Sequence, residues 1–266
     1  MRSLWTAASG MRAMQFSVDT ISNNLANVNT TAFKREKPEF EDLLYVTMQK
    51  AYSAADSNKP VNMQAGHGVI ARASVRDFSS GNLEQTDNIL DMAIEGDAFF
   101  AVRGPDGNPY YTRDGSFKLS VTEDGNMLTT SKGYPVLDQD GNEIFFEVEL
   151  DNINIATTGE ISYKDLETGL YLPTGQYIGL FQFPNVQGLE AVGGNLYSQN
   201  SASGEAFLDS ESEKVSTIRT HFLESSNVQV VDEMVKLITA QRAYELSSKA
   251  ISTSDEMLQT ANNLRR

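Results

Sequence analysis

Two histidines, no cysteine and a scatter of carboxylates are the groups from which this 266-residue chain could build a reactive site. His67 sits in a glycine-rich stretch and His221 in a strand-like one. Neither has acidic or cysteine neighbours at metal-ligating spacing, so both read as structural or surface residues. The best metal candidate is Asp138-x-Asp140-x-Asn142, with Glu149 at the twelfth place of a calcium-loop count. Such a loop needs glycine at its sixth place, where this chain carries Glu143, and helices on both sides, where it reads as strand. The run is expected to be a hairpin turn that happens to carry carboxylates.

Gly66-His67-Gly68-Val69-Ile70-Ala71 imitates a dinucleotide-binding fingerprint, but the strand before it and the helix after it are missing. It reads as a turn leading into a strand from Val69 to Val75. No Gly-x-Ser-x-Gly elbow and no Gly-x-x-x-x-Gly-Lys loop is present. The many Asp and Glu residues of the middle offer carboxylate pairs without a distinctive spacing. The expectation is a non-enzyme: no catalytic residue, no cofactor, no metal.

What the chain does have is helical pattern at both ends. Leu4, Ala7, Met11, Met14, Val18, Ile21, Leu25 and Val28 are spaced alternately three and four apart, an unbroken heptad seam that a second helix must cover. Val230, Met234, Leu237, Tyr244, Ile251 and Leu258 repeat the rhythm at the far end, with Gln241, Ser248 and Asp255 at the weaker places and Ile238 and Ala240 widening the stripe. The two ends are expected to pair as a coiled coil. Ser3 is the expected N-cap of the first helix, and Gly10 costs it about 1 kcal/mol relative to alanine. Asn27, Asn29, Thr30 and Thr31 end it near Val28. Ser226-Asn227-Val228-Gln229 reads as a capping box for the last helix, which runs to about Asn263 with Asp232 and Glu233 in its first turn.

Between the helices, residues 31–73 read as an extended connector: polar, irregular, with an acidic and aromatic patch from Phe40 to Tyr45 and a low-complexity tip from Ala51 to Pro60. From about Ser74 to Leu223, short apolar or alternating runs are punctuated by Asp106-Gly107, Asp114-Gly115, Asp124-Gly125 and Asp140-Gly141, a hairpin signature. They predict an antiparallel all-β domain, barrel or sandwich. The expected fold class is thus mixed α and β. Its parts are a helical 1–30, a connector 31–73, a β-rich 74–223 and a helical 224–266.

A net charge of −15 with no cluster of basic residues excludes a nucleic-acid partner. Lys34, Arg35 and Lys37 gather but are interrupted by Glu36. No apolar run reaches the roughly 18 residues of a membrane span, so no membrane insertion is expected. The opening residues lack the apolar core and small-residue cleavage site of a cleaved signal. The chain is expected either to stay in the cytoplasm or to leave it uncleaved.

Ile21-Ser22-Asn23-Asn24-Leu25-Ala26-Asn27-Val28-Asn29-Thr30-Thr31-Ala32-Phe33-Lys34-Arg35 closely resembles the N-terminal signature of the bacterial flagellar rod and hook family. Three further blocks point the same way: Gly81 to Asn88 leading to Asp91 to Phe100; Tyr111 to Phe117; and Ser225, Asn227 and Val228 running into Gln241-Arg242-Ala243-Tyr244-Glu245. Ala98 departs from the glycine usual there.

The resemblance implies a structural subunit of the basal-body rod, in its distal part, polymerising helically into the shaft that carries torque from motor to hook. A proximal rod or hook-type subunit is the alternative; an envelope glycan-binding β domain on a coiled-coil stalk is the remote one. It implies self-association into a helical tube, contact with other axial proteins of the proximal rod and hook, passage through the flagellar type III export apparatus without a cleaved signal, and rings around the shaft. The location it implies is the basal body, in the cell envelope. On this reading the assembly interface is Leu4, Met11, Met14, Val18, Ile21, Leu25 and Val28 with Met234, Leu237, Tyr244, Ile251 and Leu258. The family signature residues are Asn23, Asn24, Leu25, Ala26, Asn27, Phe33, Lys34, Asn227, Val228, Gln241, Arg242, Ala243 and Tyr244.

Overall fold

The computed structural model describes residues 2–49, 52–54, 57–59, 63–122, 125–146, 153–164, 170–211 and 215–264. The chain divides into two compact units: residues 1–26, 36–76 and 229–266 form the first, residues 27–35 and 77–228 the second.

In the first unit, α1 (Arg2–Ala26) and α2 (Val230–Asn263) pack against each other. They run antiparallel: Ser3 meets Ser254, Gly10 faces Ser247, and Asn24 bonds Glu233. Seven residues forward on α1 are thus matched by seven back on α2. α2 is 34 residues, about 51 Å at 1.5 Å per residue. Ser3 lies inside α1, its carbonyl accepting from the Thr6 hydroxyl, so the helix begins before the expected cap. The capping box is not formed either. α2 starts after Gln229, whose side chain makes no cap bond, while the Ser226 hydroxyl accepts from the Val228 N–H and Asn227 is occupied elsewhere.

The stretch expected as an irregular connector is instead a two-stranded antiparallel ribbon that turns back on itself. Glu36–Asp42 pairs with Val69–Arg76, Tyr45–Gln49 with Met63–Gly66, and Tyr52–Ala54 with Ser57–Lys59. Its low sequence periodicity from Glu39 to Met48 follows from exposure: apart from half-buried Leu43 these residues face water and have no core side to alternate against. Residues 51, 55, 56 and 60 of the low-complexity tip lie outside the described residues. Gly68 adopts φ 108° just before Val69, the turn expected ahead of the strand there, which runs Val69–Arg76.

The second unit is antiparallel β. Its largest sheet has the order Glu190–Gly193, Leu196–Ser198, Pro109–Thr112, Phe99–Arg103, Leu180–Gln182, Phe207–Leu208. Phe99 to Val102 is an unbroken apolar run because both faces of the strand are covered. Phe100 and Val102 join a core with Met92, Ile94, Leu128 and Ile178, while Phe99 and Ala101 join Tyr111, Phe183 and Tyr197 on the other side. That second cluster is aromatic and edge-on: Tyr111 and Phe183 stand with centroids 4.8 Å apart at 85°. Two three-stranded sheets (Phe117–Thr122, Gly125–Thr130, Phe145–Phe146; and Ile153–Ile155, Glu160–Lys164, Tyr171–Tyr177) complete the unit with two strand pairs. The short strands distribute themselves over several sheets, which isolated bridges such as Val102 to Val136 and Asp138 to Ile178 link.

Of the Asp-Gly pairs, Asp106-Gly107 and Asp140-Gly141 sit in tight hairpin turns, with Gly107 at φ 78° and Gly141 at φ 81°. Gly125 opens the second strand of a hairpin; Asp124 lies outside the described residues. Asp114-Gly115 makes no hairpin. It is a corner between two sheets, where the Asp114 carboxylate accepts from the Ser116 N–H and hydroxyl and a Cβ on Gly115 would stand 1.7 Å from the Met92 carbonyl oxygen.

Candidate assembly surface

The residues singled out for metal chemistry are used for folding. Asp138 Oδ1 accepts from the N–H groups of Asp140 and Asn142, closing its own turn, and Glu143 pairs with Arg103 at 2.8 Å. Glu149 lies outside the described residues. His67 Nδ1 stands 2.9 Å from the Leu44 carbonyl oxygen. His221 occupies the left-handed region at φ 65°, breaking Thr217–Thr220 from Phe222–Glu224. Among the described residues no group of three His, Cys, Asp or Glu could hold a metal ion, and no helix is long and apolar enough to cross a membrane.

The paired helices meet through Ser3, Gly10 and Asn24 of α1, each one residue before a predicted seam residue (Leu4, Met11 and Leu25). Ile21 is buried, and Leu4, Met11, Met14, Val18 and Leu25 are half-buried, with Ala13, Thr20 and Asn24 buried between them. Val28 lies beyond the helix, half-buried in the second unit. On α2 the covered residues are Glu233, Leu237, Ala240, Ala243, Ser247, Ser248, Ile251, Ser254 and Leu258, partly offset from the predicted stripe. Leu237, Ala240, Ser248, Ile251 and Leu258 belong to both. Met234 and Tyr244 are 50% and 38% exposed. The offset has a steric cause. Gly10 and Ser247, and Ser3 with Ser254, allow close approach of the two backbones, and small residues win that contact over larger apolar ones.

One end of the seam is held by a polar knot. Asn24 donates to the Glu36 carbonyl (2.8 Å) and to Glu233 Oε2 (3.1 Å), and its own carbonyl accepts from the Glu36 N–H (2.9 Å). Lys236 donates to the other oxygen of Glu233. Asn24 and Glu233 are each 1% exposed, so this knot fixes helix register at a place where mispairing would strand buried polar groups.

The face of α2 turned away from α1 is apolar over its first two turns. Val231 is 73% exposed, Val235 56% and Ile238 51%. Gln241 and Arg242 are exposed and Ala243 half-buried.

Most remaining signature residues meet in the second unit. Lys34 donates to Glu224 Oε1 at 2.7 Å and to the Ser79 carbonyl at 2.9 Å; the Gly81 N–H donates to the same carboxylate oxygen. Arg113 approaches the other oxygen at 3.5 Å, donates to the Gly96 carbonyl and lies over the Phe99 ring. Asn227 accepts from the Arg35 N–H and donates to the carbonyls of Asp77 and Ser79. Phe33 is half-buried and Val228 buried. Asn27 caps the turn to Thr30, while Asn23 and Ala26 end α1 on its exposed side. Two cations and one anion are thus buried together. Burial pushes the Lys34 ammonium below the ordinary lysine range, the Arg113 guanidinium adds to that, and Glu224 opposes it. Arg113 and Glu224, central here, carried no local spacing signal; only their pairing across the chain marks them.

Family models place these stretches. The flagella basal body rod protein model matches residues 4–34, the flagellar hook protein FlgE/F/G D1 domain residues 93–163, and the flagellar basal body rod FlgEFG protein C-terminal model residues 219–264. The flagellar basal-body rod protein FlgG of Borreliella burgdorferi is 46% identical over 100% of this chain and 99% of its own length. That of Caulobacter vibrioides is 42% identical over the whole of both chains. A Helicobacter pylori flagellar hook protein FlgE2 structure shares 19% identity over 72% of this chain and 43% of its own, with a TM-score of 0.24, too low to establish a common architecture. On its full-length likeness to these rod proteins, the chain belongs to the flagellar basal-body rod protein family and is FlgG-like within it.

Proposed function

We propose that the chain is a structural subunit of the distal rod of the bacterial flagellum, and that copies of it stack helically into the shaft that carries torque from motor to hook. The observation that carries this reading is that likeness to the rod proteins extends over the whole chain, both terminal helices included. The outward apolar face of α2 supports it, because an apolar stripe left in water on a surface helix marks an interaction site. Torque transmission needs packing and register, which the seam and the two buried polar knots supply, and no reaction.

In finer detail, residues 1–30 and 224–266 pair as a coiled coil in an inner tubular layer, 31–73 serves as the connector, and 74–223 faces outward. The seven-residue register of the antiparallel helices supports the coiled-coil part. The chain passes through the type III export apparatus without signal cleavage and contacts the proximal rod, the hook and the rings around the shaft.

Deletion of the gene, with swimming scored and isolated basal bodies imaged by electron microscopy, tests the reading. Rods truncated in their distal part and lacking hooks are the expected result. Intact flagella on the deletion strain would overturn it.

A further inference from the structure

Beside α1 lies an open groove of about 520 Å³, walled by Trp5, Ala8 and Ala13 of the helix and by Leu43, Val69 and Ile70 of the ribbon. Trp5 is 77% exposed there and Ile70 50%, a large apolar area for one chain to leave in water. Arg12 lines the same groove. We propose that this groove receives the outer face of the first two turns of α2 from a second copy of the chain, an inference that rests on the rod reading above.

The fit has three parts. Val231, Val235 and Ile238 follow one another at i, i+4 and i+7, the spacing with which a helix lays an apolar face into a groove. They point away from the Glu233, Leu237 and Ala240 face that packs on α1, so they remain available after the helices pair. Charge matches as well. Arg12 and Asp232, which adjoins Val231, are both exposed, and neither has an ion-pair partner among the described residues. A guanidinium in the groove and a carboxylate on the ridge align the two and disfavour the reversed docking.

The occupant is a second copy because one chain carries both halves of the match on different surfaces. Each copy therefore offers one groove and one ridge. A contact between two unlike patches is heterologous, and repeated without closure it generates an open helix, the form a rod requires.

The chain has no cysteine of its own, which makes cross-linking specific. Full-length chain carrying both Ile70→Cys and Val235→Cys replaces the native copy in cells, and isolated basal bodies are oxidised. A ladder of covalent dimers, trimers and higher species is expected from the double variant and only monomer from either single one. In parallel, Arg12→Glu and Asp232→Arg should each lower the number of complete rods about tenfold, and their combination should restore it to within about twofold, since only the pairing is reversed. Chain present in basal bodies with no ladder and no rescue overturns this inference and leaves the rod reading standing. So does a groove cysteine captured by a different protein. Absence of the chain from basal bodies removes the rod reading, and this inference falls with it.

Discussion

Lys34 Nζ lies 2.7 Å from Glu224 Oε1, across a sequence separation of 190 positions and with both side chains at most 1% exposed. Arg113 stands on the other side of the same carboxylate, so the buried group carries one positive charge in excess. That imbalance decides which partner matters more.

Removing the anion leaves two buried cations facing each other, whereas removing Lys34 leaves a balanced pair. Glu224→Gln should destabilise the second unit by about 3–5 kcal/mol, and Lys34→Met by about 1–2, although both delete the same ion pair. Urea unfolding followed in the near-UV measures both. Equal losses would show that the pair acts without Arg113.

The burial of Lys34, with the Arg113 charge added, sets a pH dependence. Burial lowers the pKa of Lys34 from its ordinary 10.5, so within the window between the folded value and 10.5 the unfolded chain holds a proton that the folded chain has released. Raising pH through that window favours the folded state. The stability of the wild type relative to Lys34→Met should move in the wild type's favour as pH rises through that window toward 10.5. A difference that moves the other way would mean the ammonium is stabilised where it lies.

How far the sequence discloses this structure depends on which interactions are local. Heptads at Leu4 to Leu25 place α1, and turn residues such as Gly107 and Gly141 place hairpins, because spacing and backbone preference are written in neighbouring residues. The α2 stripe is partly offset from the covered face because apolar bulk favours Met234 and Tyr244, while close helix approach selects Ser247 and Ser254. Of the ribbon, Val69 to Val75 was legible as a strand, whereas Glu39 to Met48 gave no period because almost every residue there is exposed. Arg113 and Glu224 were silent for another reason: their chemistry exists only once distant segments meet. The motifs that carry the family resemblance do include them or adjoin them, which is why the resemblance found the place without showing its charges.

Gly10 is a cost that the structure shows to be avoidable. A Cβ there would stand 3.5 Å from Ser247 Oγ, an ordinary contact, and the backbone is helical. Gly10→Ala should therefore stabilise α1 by about 0.5–1 kcal/mol, read as a higher melting temperature in ellipticity at 222 nm. A fall would mean that the helices approach more closely in solution.

Asn24→Ala strips the Glu36 N–H and carbonyl and Glu233 Oε2 of one partner each. A loss of about 2–3 kcal/mol is expected in chemical denaturation of the full chain. Asn24→Asp should cost more, since it sets a carboxylate beside the buried Glu233. If both variants fold as stably as the wild type, the knot is not what fixes the register.

Two substitutions on α2 separate folding from assembly. Ala240 is 5% exposed on the face that meets α1, and Met234 is 50% exposed. Ala240→Asp buries a carboxylate without a partner and should cost several kcal/mol in the isolated chain. Met234→Asp touches little within the chain and adds negative charge near the helix N-terminus, so stability should change by no more than about 0.5 kcal/mol. Yet basal bodies carrying Met234→Asp should lack a complete rod, because the lost contact lies between copies. The comparison needs both readouts. Met234→Asp that destabilises the monomer as strongly as Ala240→Asp would show the residue already packed within the chain, and normal rods from a stable Met234→Asp chain would show that this part of α2 meets nothing.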